Sequence, residues 1–80
     1  MAEGGGTSSR RLLSPQERLV MSLVVNGCLY KEIAARRGIS EATVAAHVGS
    51  ATRKLGARTR AEAIAIGLRR GVLRLRLRVR

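Results

Sequence analysis

Aromatic side chains are almost absent from this 80-residue chain, which has Tyr30 and neither tryptophan nor phenylalanine. Binding of single strands by base stacking needs several aromatic faces, so that mode is excluded. Cys28 is the single cysteine, and no internal disulfide can form. His47 is the single histidine, and at its separation from Cys28 the two cannot build a metal site. No metal and no cofactor are expected. Long apolar runs are missing too. Leu23 to Val25 and Ala63 to Ile66 fall far below the roughly 20 residues of a membrane span. Met1 to Arg10 lacks the apolar stretch of a signal peptide. A cytoplasmic protein without membrane contact is the expectation. One small domain with tails buries only about 60% of its unfolded surface. That leaves little room for a two-substrate cleft, and no enzyme is expected.

Acidic side chains are also scarce, 5 against 16 Lys and Arg, for a net charge of +11. Hydrophobic residues make up 45% of the chain, too many for a wholly disordered one. The charge is spread unevenly. Residues 12–71 carry +6, from ten basic and four acidic side chains. Residues 72–80 add +4 through Arg74, Arg76, Arg78 and Arg80. Such a surplus calls for an anionic partner, and nucleic acid leads. Residues 1–12, with Gly4-Gly5-Gly6-Thr7-Ser8-Ser9, read as a flexible lead. A domain is expected over 13–73 and a basic Leu/Arg tail over 74–80. The tail alternates strictly, which is a strand period, yet it has nothing in the chain to pair with. It could pair with its own copy, lie along phosphates, or be a biased extension without function.

Helix boundaries follow from local chemistry. In Ser14-Pro15-Gln16-Glu17, the serine can cap, the proline suits the first helical position, and the glutamate can bond back. Val20, Met21, Leu23 and Val24 then recur at helical spacing, and Asn26-Gly27 ends helix one, expected over Pro15 to Asn26. A short helix two runs from Tyr30 to Arg37, with Ile33 and Ala34 inward and a weak start at Leu29. Gly38-Ile39-Ser40 connects it to helix three, Glu41 to Leu55, whose Val44, Val48, Ala51 and Leu55 form a buried stripe. Two helices joined by a glycine turn, the second longer, make the helix-turn-helix pattern. Thr59 and Glu62 form a second capping box for helix four, Arg60 to Arg70. Its Ala63, Gly67 and Gly71 are spaced by four. That stripe suits either close approach of another helix or tight packing on helix one. The expected fold is all-α, a four-helix bundle containing a helix-turn-helix.

Six blocks, in order and at matching spacing, resemble the LuxR-type (GerE, NarL/FixJ-like) DNA-binding domain. They are Leu13-Ser14 with Glu17 and Gly27, Lys31-Glu32-Ile33-Ala34, Ile39-Ser40, Thr43-Val44 with His47-Val48, Lys54-Leu55-Gly56, and Arg60 with Glu62-Ala63. The resemblance implies that helix three enters the major groove of double-stranded DNA and that helix four mediates homodimerisation. Carried over by position, it implies DNA contacts at Ser40, Thr43, Val44, Ala45, Ala46, His47, Gly49, Ser50, Arg53 and Lys54. His47 also reads as a partly buried packing residue. Tyr30, Lys31, Arg36, Arg37 and Arg58 are candidate phosphate contacts, and Ala63, Gly67 and Arg70 candidate dimer contacts.

The departures matter. Ala45 stands where family members often carry lysine, Ser50 where they carry asparagine, and Tyr30 where asparagine is usual. By the resemblance, the family's base-reading positions correspond here to Ala45, Ala46 and Gly49, whose side chains cannot donate a hydrogen bond to a base edge; alanine can still touch a thymine methyl. The expected function is transcription regulation by DNA binding without catalysis or a small-molecule ligand. The chain would act as a stand-alone regulator or as the output end of a longer one. The alternatives are a helix-turn-helix protein-interaction module and a nonspecific nucleic-acid binder.

Overall fold

Four helices wrap one apolar core in the computed structural model, which describes residues 12–76. They are α1 (Pro15–Val25), α2 (Tyr30–Arg37), α3 (Glu41–Lys54) and α4 (Arg60–Arg69). Among the described residues there is no strand. Most of the expected lead, and the alternating residues 77–80, lie outside the described residues.

The helix starts are set by side chains. Ser14 Oγ accepts from the Glu17 amide at 3.1 Å, and Glu17 Oε1 accepts from the Ser14 amide at 2.8 Å, closing the expected capping box on α1. Leu29 has no acceptor to cap α2, but Glu32 Oε1 takes the Leu29 amide at 2.7 Å. Ser40 Oγ accepts from Thr43 at the start of α3. Thr59 Oγ1 accepts from Glu62 at the start of α4. The return bond differs from expectation there: Glu62 Oε1 accepts from the Arg58 amide at 2.6 Å, one residue before the cap.

Three helices end one residue earlier than the pattern suggested. Asn26, Leu55 and Arg70 stand just outside as C-caps, because each precedes the glycine that turns the chain away. Gly38 does this in the helix-turn-helix. Its φ of 66° and ψ of 35° lie in the left-handed region, and the Ile39 amide closes back on Ala34 O at 3.1 Å. That tight closure lets α2 and α3 both lay apolar residues on α1.

The core joins Leu13, Val20, Met21, Ile33, Val44, Val48, Ala51, Leu55 and Ala63 to Val72 and Leu73. The helix-three stripe is buried as its spacing demanded. Leu12 and Cys28 are partly buried against the core. The small-residue stripe of α4 packs differently from either expectation. Ala63 is fully buried and Gly67 is covered by Leu73, from the non-helical segment after α4. Gly71, at φ 76°, makes that return possible, and the Val72 and Leu73 amides both donate to Gly67 O. The segment is then held by Asn26. Its Nδ2 donates to Arg74 O at 3.1 Å and its Oδ1 accepts from the Arg76 amide at 2.6 Å. One side-chain amide thus takes the place of a neighbouring strand.

Candidate nucleic-acid interface

The chemistry of α3 divides sharply by face. Inward, Val44 is fully buried, so its side chain is spent on the core and is not free for the DNA contact expected of it. Outward, Ala42, Ala45, Ala46 and Arg53 are exposed and Gly49 is half-buried. Ser40 and Thr43 sit at the N-terminus, their hydroxyls 2.9 Å apart. The Ser40 oxygen also accepts from the Thr43 amide at 3.0 Å, which caps the first turn of α3.

A second feature ties α3 to α1. Glu17 is only 5% exposed, yet charged. Ser50 Oγ donates to its Oε2, and Lys54 Nζ donates to its Oε1 at 2.8 Å. Burial alone would raise this carboxyl. The hydrogen bonds from Lys54, Ser50 and the Ser14 amide, with the Lys54 charge, outweigh it and hold the pKa at about 2 against an ordinary 4.5. The capping-box glutamate of α1 is therefore also the strut that ties α3 to α1. Ser50 and Lys54, expected as DNA contacts, spend hydrogen bonds inward here. Lys54 stays half-exposed, and its charge still adds to the surface potential.

The remaining expected contacts differ in exposure. His47 is half-buried and lines a small groove with Gln16, Leu19, Val20, Arg37 and Ile39. Arg36 and Arg37 end α2, where they also suit the helix dipole. Lys31 and Arg58 are exposed. Tyr30 is half-buried, and its hydroxyl accepts from Arg60 Nη1 at 3.1 Å. The Arg60 guanidinium also lies 5.5 Å from the ring centroid. This pair, joining the starts of α2 and α4, was not legible from spacing, because its residues are thirty positions apart. Of the expected dimer contacts, Ala63 and Gly67 are buried within the chain, and Arg70 is exposed. The outer side of α4 carries exposed Ala61, Ala65 and Leu68, with Leu68 37% exposed, and Ile64 between them is half-buried against the core. Among the described residues, no three His, Cys, Asp or Glu side chains cluster as metal ligands would. No helix among them is long and apolar enough to cross a membrane.

Residues 11–66 match the family model described as bacterial regulatory proteins, luxR family. The chain is 43% identical over 67 residues to spore germination protein GerE of Bacillus subtilis, covering 84% of this chain and 90% of that protein. It is 48% identical over 48 residues to transcriptional activator protein CarR of Pectobacterium carotovorum, and 39% identical over 62 residues to transcriptional activator protein YukR of Yersinia ruckeri. These matches cover 60% and 78% of this chain, but only 20% and 27% of those longer relatives.

Proposed function

Because the chain belongs to the LuxR family of bacterial regulatory proteins, we propose that it regulates transcription by laying α3 in the major groove of double-stranded DNA. The carrying observation is the two-faced α3. Its inner stripe and the Glu17 strut hold it rigidly, while its outer face bears no bulky side chain before Arg53. Arg36, Arg37, Arg58 and Lys31 are exposed and supply positive charge for phosphates, and the Tyr30 hydroxyl is a further candidate phosphate contact. The protein works in the cytoplasm, where its DNA is, and performs no catalysis.

Titration against duplex DNA over a range of salt tests this. Each phosphate neutralised contributes about −0.9 to the log–log slope, so several contacts give a steep fall. A slope near zero rejects nucleic acid as the partner. Selection from random duplexes then separates readings. Enrichment of a defined site supports sequence-specific regulation; equal binding to all duplexes supports the nonspecific binder. The interaction-module reading draws on Ala45, Ala46 and Gly49, which offer no side-chain donor, and it requires that no duplex be bound.

The homodimer is proposed through the solvent side of α4, with Ala61, Ile64, Ala65 and Leu68 at its centre and Arg70 at its edge. Two-fold pairing would place half-sites about one helical turn apart, roughly 34 Å. Leu68→Glu buries a charge in such a contact. It is expected to abolish cooperative binding to a two-half-site duplex while the chain stays folded. Unchanged cooperativity rejects this face.

A further inference from the structure

We propose that Arg53 is the base-reading residue of this domain, that it recognises guanine, and that its guanidinium reaches the groove beside the bare backbone of Gly49. The inference rests on the placement of α3 in the major groove. It starts from one contact: a Cβ built at Gly49 would lie 3.7 Å from Arg53 Nη1. The guanidinium of Arg53 therefore lies back over the preceding turn, beside the bare backbone of Gly49. Side chains on a helix lean toward its N-terminus, so a residue covers the surface one turn before its own Cα. Arg53 thus delivers its donors near position 49, where a side chain is missing, and not at position 53, near the helix end.

The chemistry at that point is specific. Ala42, Ala45, Ala46 and Gly49 present only methyl groups and backbone, which can meet thymine methyls but not hydrogen-bond a base edge. Their small size also lets the helix axis approach the groove floor more closely. Arg53 alone on this face carries donors, and its planar fork matches the O6 and N7 acceptors of guanine. Its neighbour Lys54 is tied to Glu17, whereas among the described residues no acidic side chain pairs with Arg53. No ion pair must break for it to turn to a base. The half-site should then read as one guanine beside positions where thymine methyls meet the alanines.

The test uses the full chain and a pool of random duplexes. The parent is expected to enrich sites with one fixed guanine. Replacing that guanine should weaken binding roughly 5- to 150-fold. Arg53→Lys keeps the charge and loses the fork. It should erase most of that discrimination while leaving the salt slope unchanged. Arg53→Gln should move the preference at that one position from guanine to adenine, which an amide can bind through N6 and N7. Both variants should melt with the parent, since position 53 is exposed. Equal weakening on every sequence, with the slope of Arg53→Gln shallower by about 0.9, would make Arg53 a phosphate contact and overturn the proposal. A parent that selects a site without a required guanine overturns it as well, while leaving DNA binding intact. A parent that binds no duplex rejects the groove placement itself.

Discussion

Two glycines inside helices are used in opposite ways. At Gly49 in α3, an added Cβ would meet only the tip of Arg53, at an ordinary contact distance of 3.7 Å. At Gly67 in α4, it would fall 2.5 Å from Cδ1 and 2.8 Å from Cγ of Leu73. Both positions cost helix stability relative to alanine, about 1 kcal/mol each. What is gained differs. The α3 glycine opens outward, onto the face that would meet a ligand. The α4 glycine opens inward, where Leu73 closes the core. With α3 placed in the groove as proposed, one serves recognition and the other folding, although both look like interruptions of a helix.

The largest expected effect is at Gly67. Leu73 is only 2% exposed and cannot swing into water, so Gly67→Ala should cost about 1–3 kcal/mol by overpacking, partly offset by better helix propensity. Gly67→Leu should cost more than that and leave little folded protein. Urea unfolding of both variants measures this. Parent-like stability for Gly67→Leu would mean that Leu73 does not pack on α4 as described.

Glu17→Gln comes next. It leaves the α1 cap partly in place but removes the charge that Lys54 and Ser50 hold, and should cost about 1–3 kcal/mol. The same carboxyl predicts a pH dependence. Its pKa is about 2 folded and 4.5 ordinarily, so its contribution is complete above about 4.5 and is lost as pH falls toward 2. The size is about 2 kcal/mol, allowing for the water around half-exposed Lys54. Unfolding midpoints taken between pH 6 and 2 should fall less steeply in Glu17→Gln than in the parent. Parallel curves would remove Glu17 as the strut.

Asn26→Ala tests the other end of the α4 segment. The lost bonds to Arg74 and Arg76 should cost about 1 kcal/mol. Faster hydrogen exchange at the Arg76 amide is the direct sign, because that amide donates to Asn26. The smallest effect is expected at Gly49. Gly49→Ala should stabilise the fold by about 0.5–1 kcal/mol, since nothing is displaced. Set beside Gly67→Ala, an opposite sign in the same melting experiment is the sharpest form of the contrast. A loss at both positions would erase it.

Much of this molecule can be read from short stretches of chain. Ser14, Pro15 and Glu17 announce α1 because a cap, a fixed φ and a return bond lie within four residues. Val44, Val48, Ala51 and Leu55 announce the inner face of α3 because helical period and burial are linked. The outer face follows by subtraction, which is why Ala45, Ala46, Gly49 and Arg53 were legible as the candidate interface. The family blocks lie on those same elements. Less was legible in α4, where Ala63 and Gly67 advertise a close neighbour without saying which one. Ser50 and Lys54 looked outward by position, and only their contacts with Glu17 show where their hydrogen bonds go.

The sequence by itself determined the helices to within a residue at their ends, the caps at Ser14 and Thr59, the buried stripe of α3, the basic surplus and the family. Each is a property of residues a few positions apart, or of composition summed over the chain. Tertiary structure alone decided that Leu73 fills the notch at Gly67, that Asn26 holds the backbone of Arg74 and Arg76, and that Glu17 braces α3 through Ser50 and Lys54. The last two join residues between 33 and 50 positions apart. No local period encodes such a meeting. It exists only once the apolar core has drawn the helices together and left each polar group to find its partner in the space that remains.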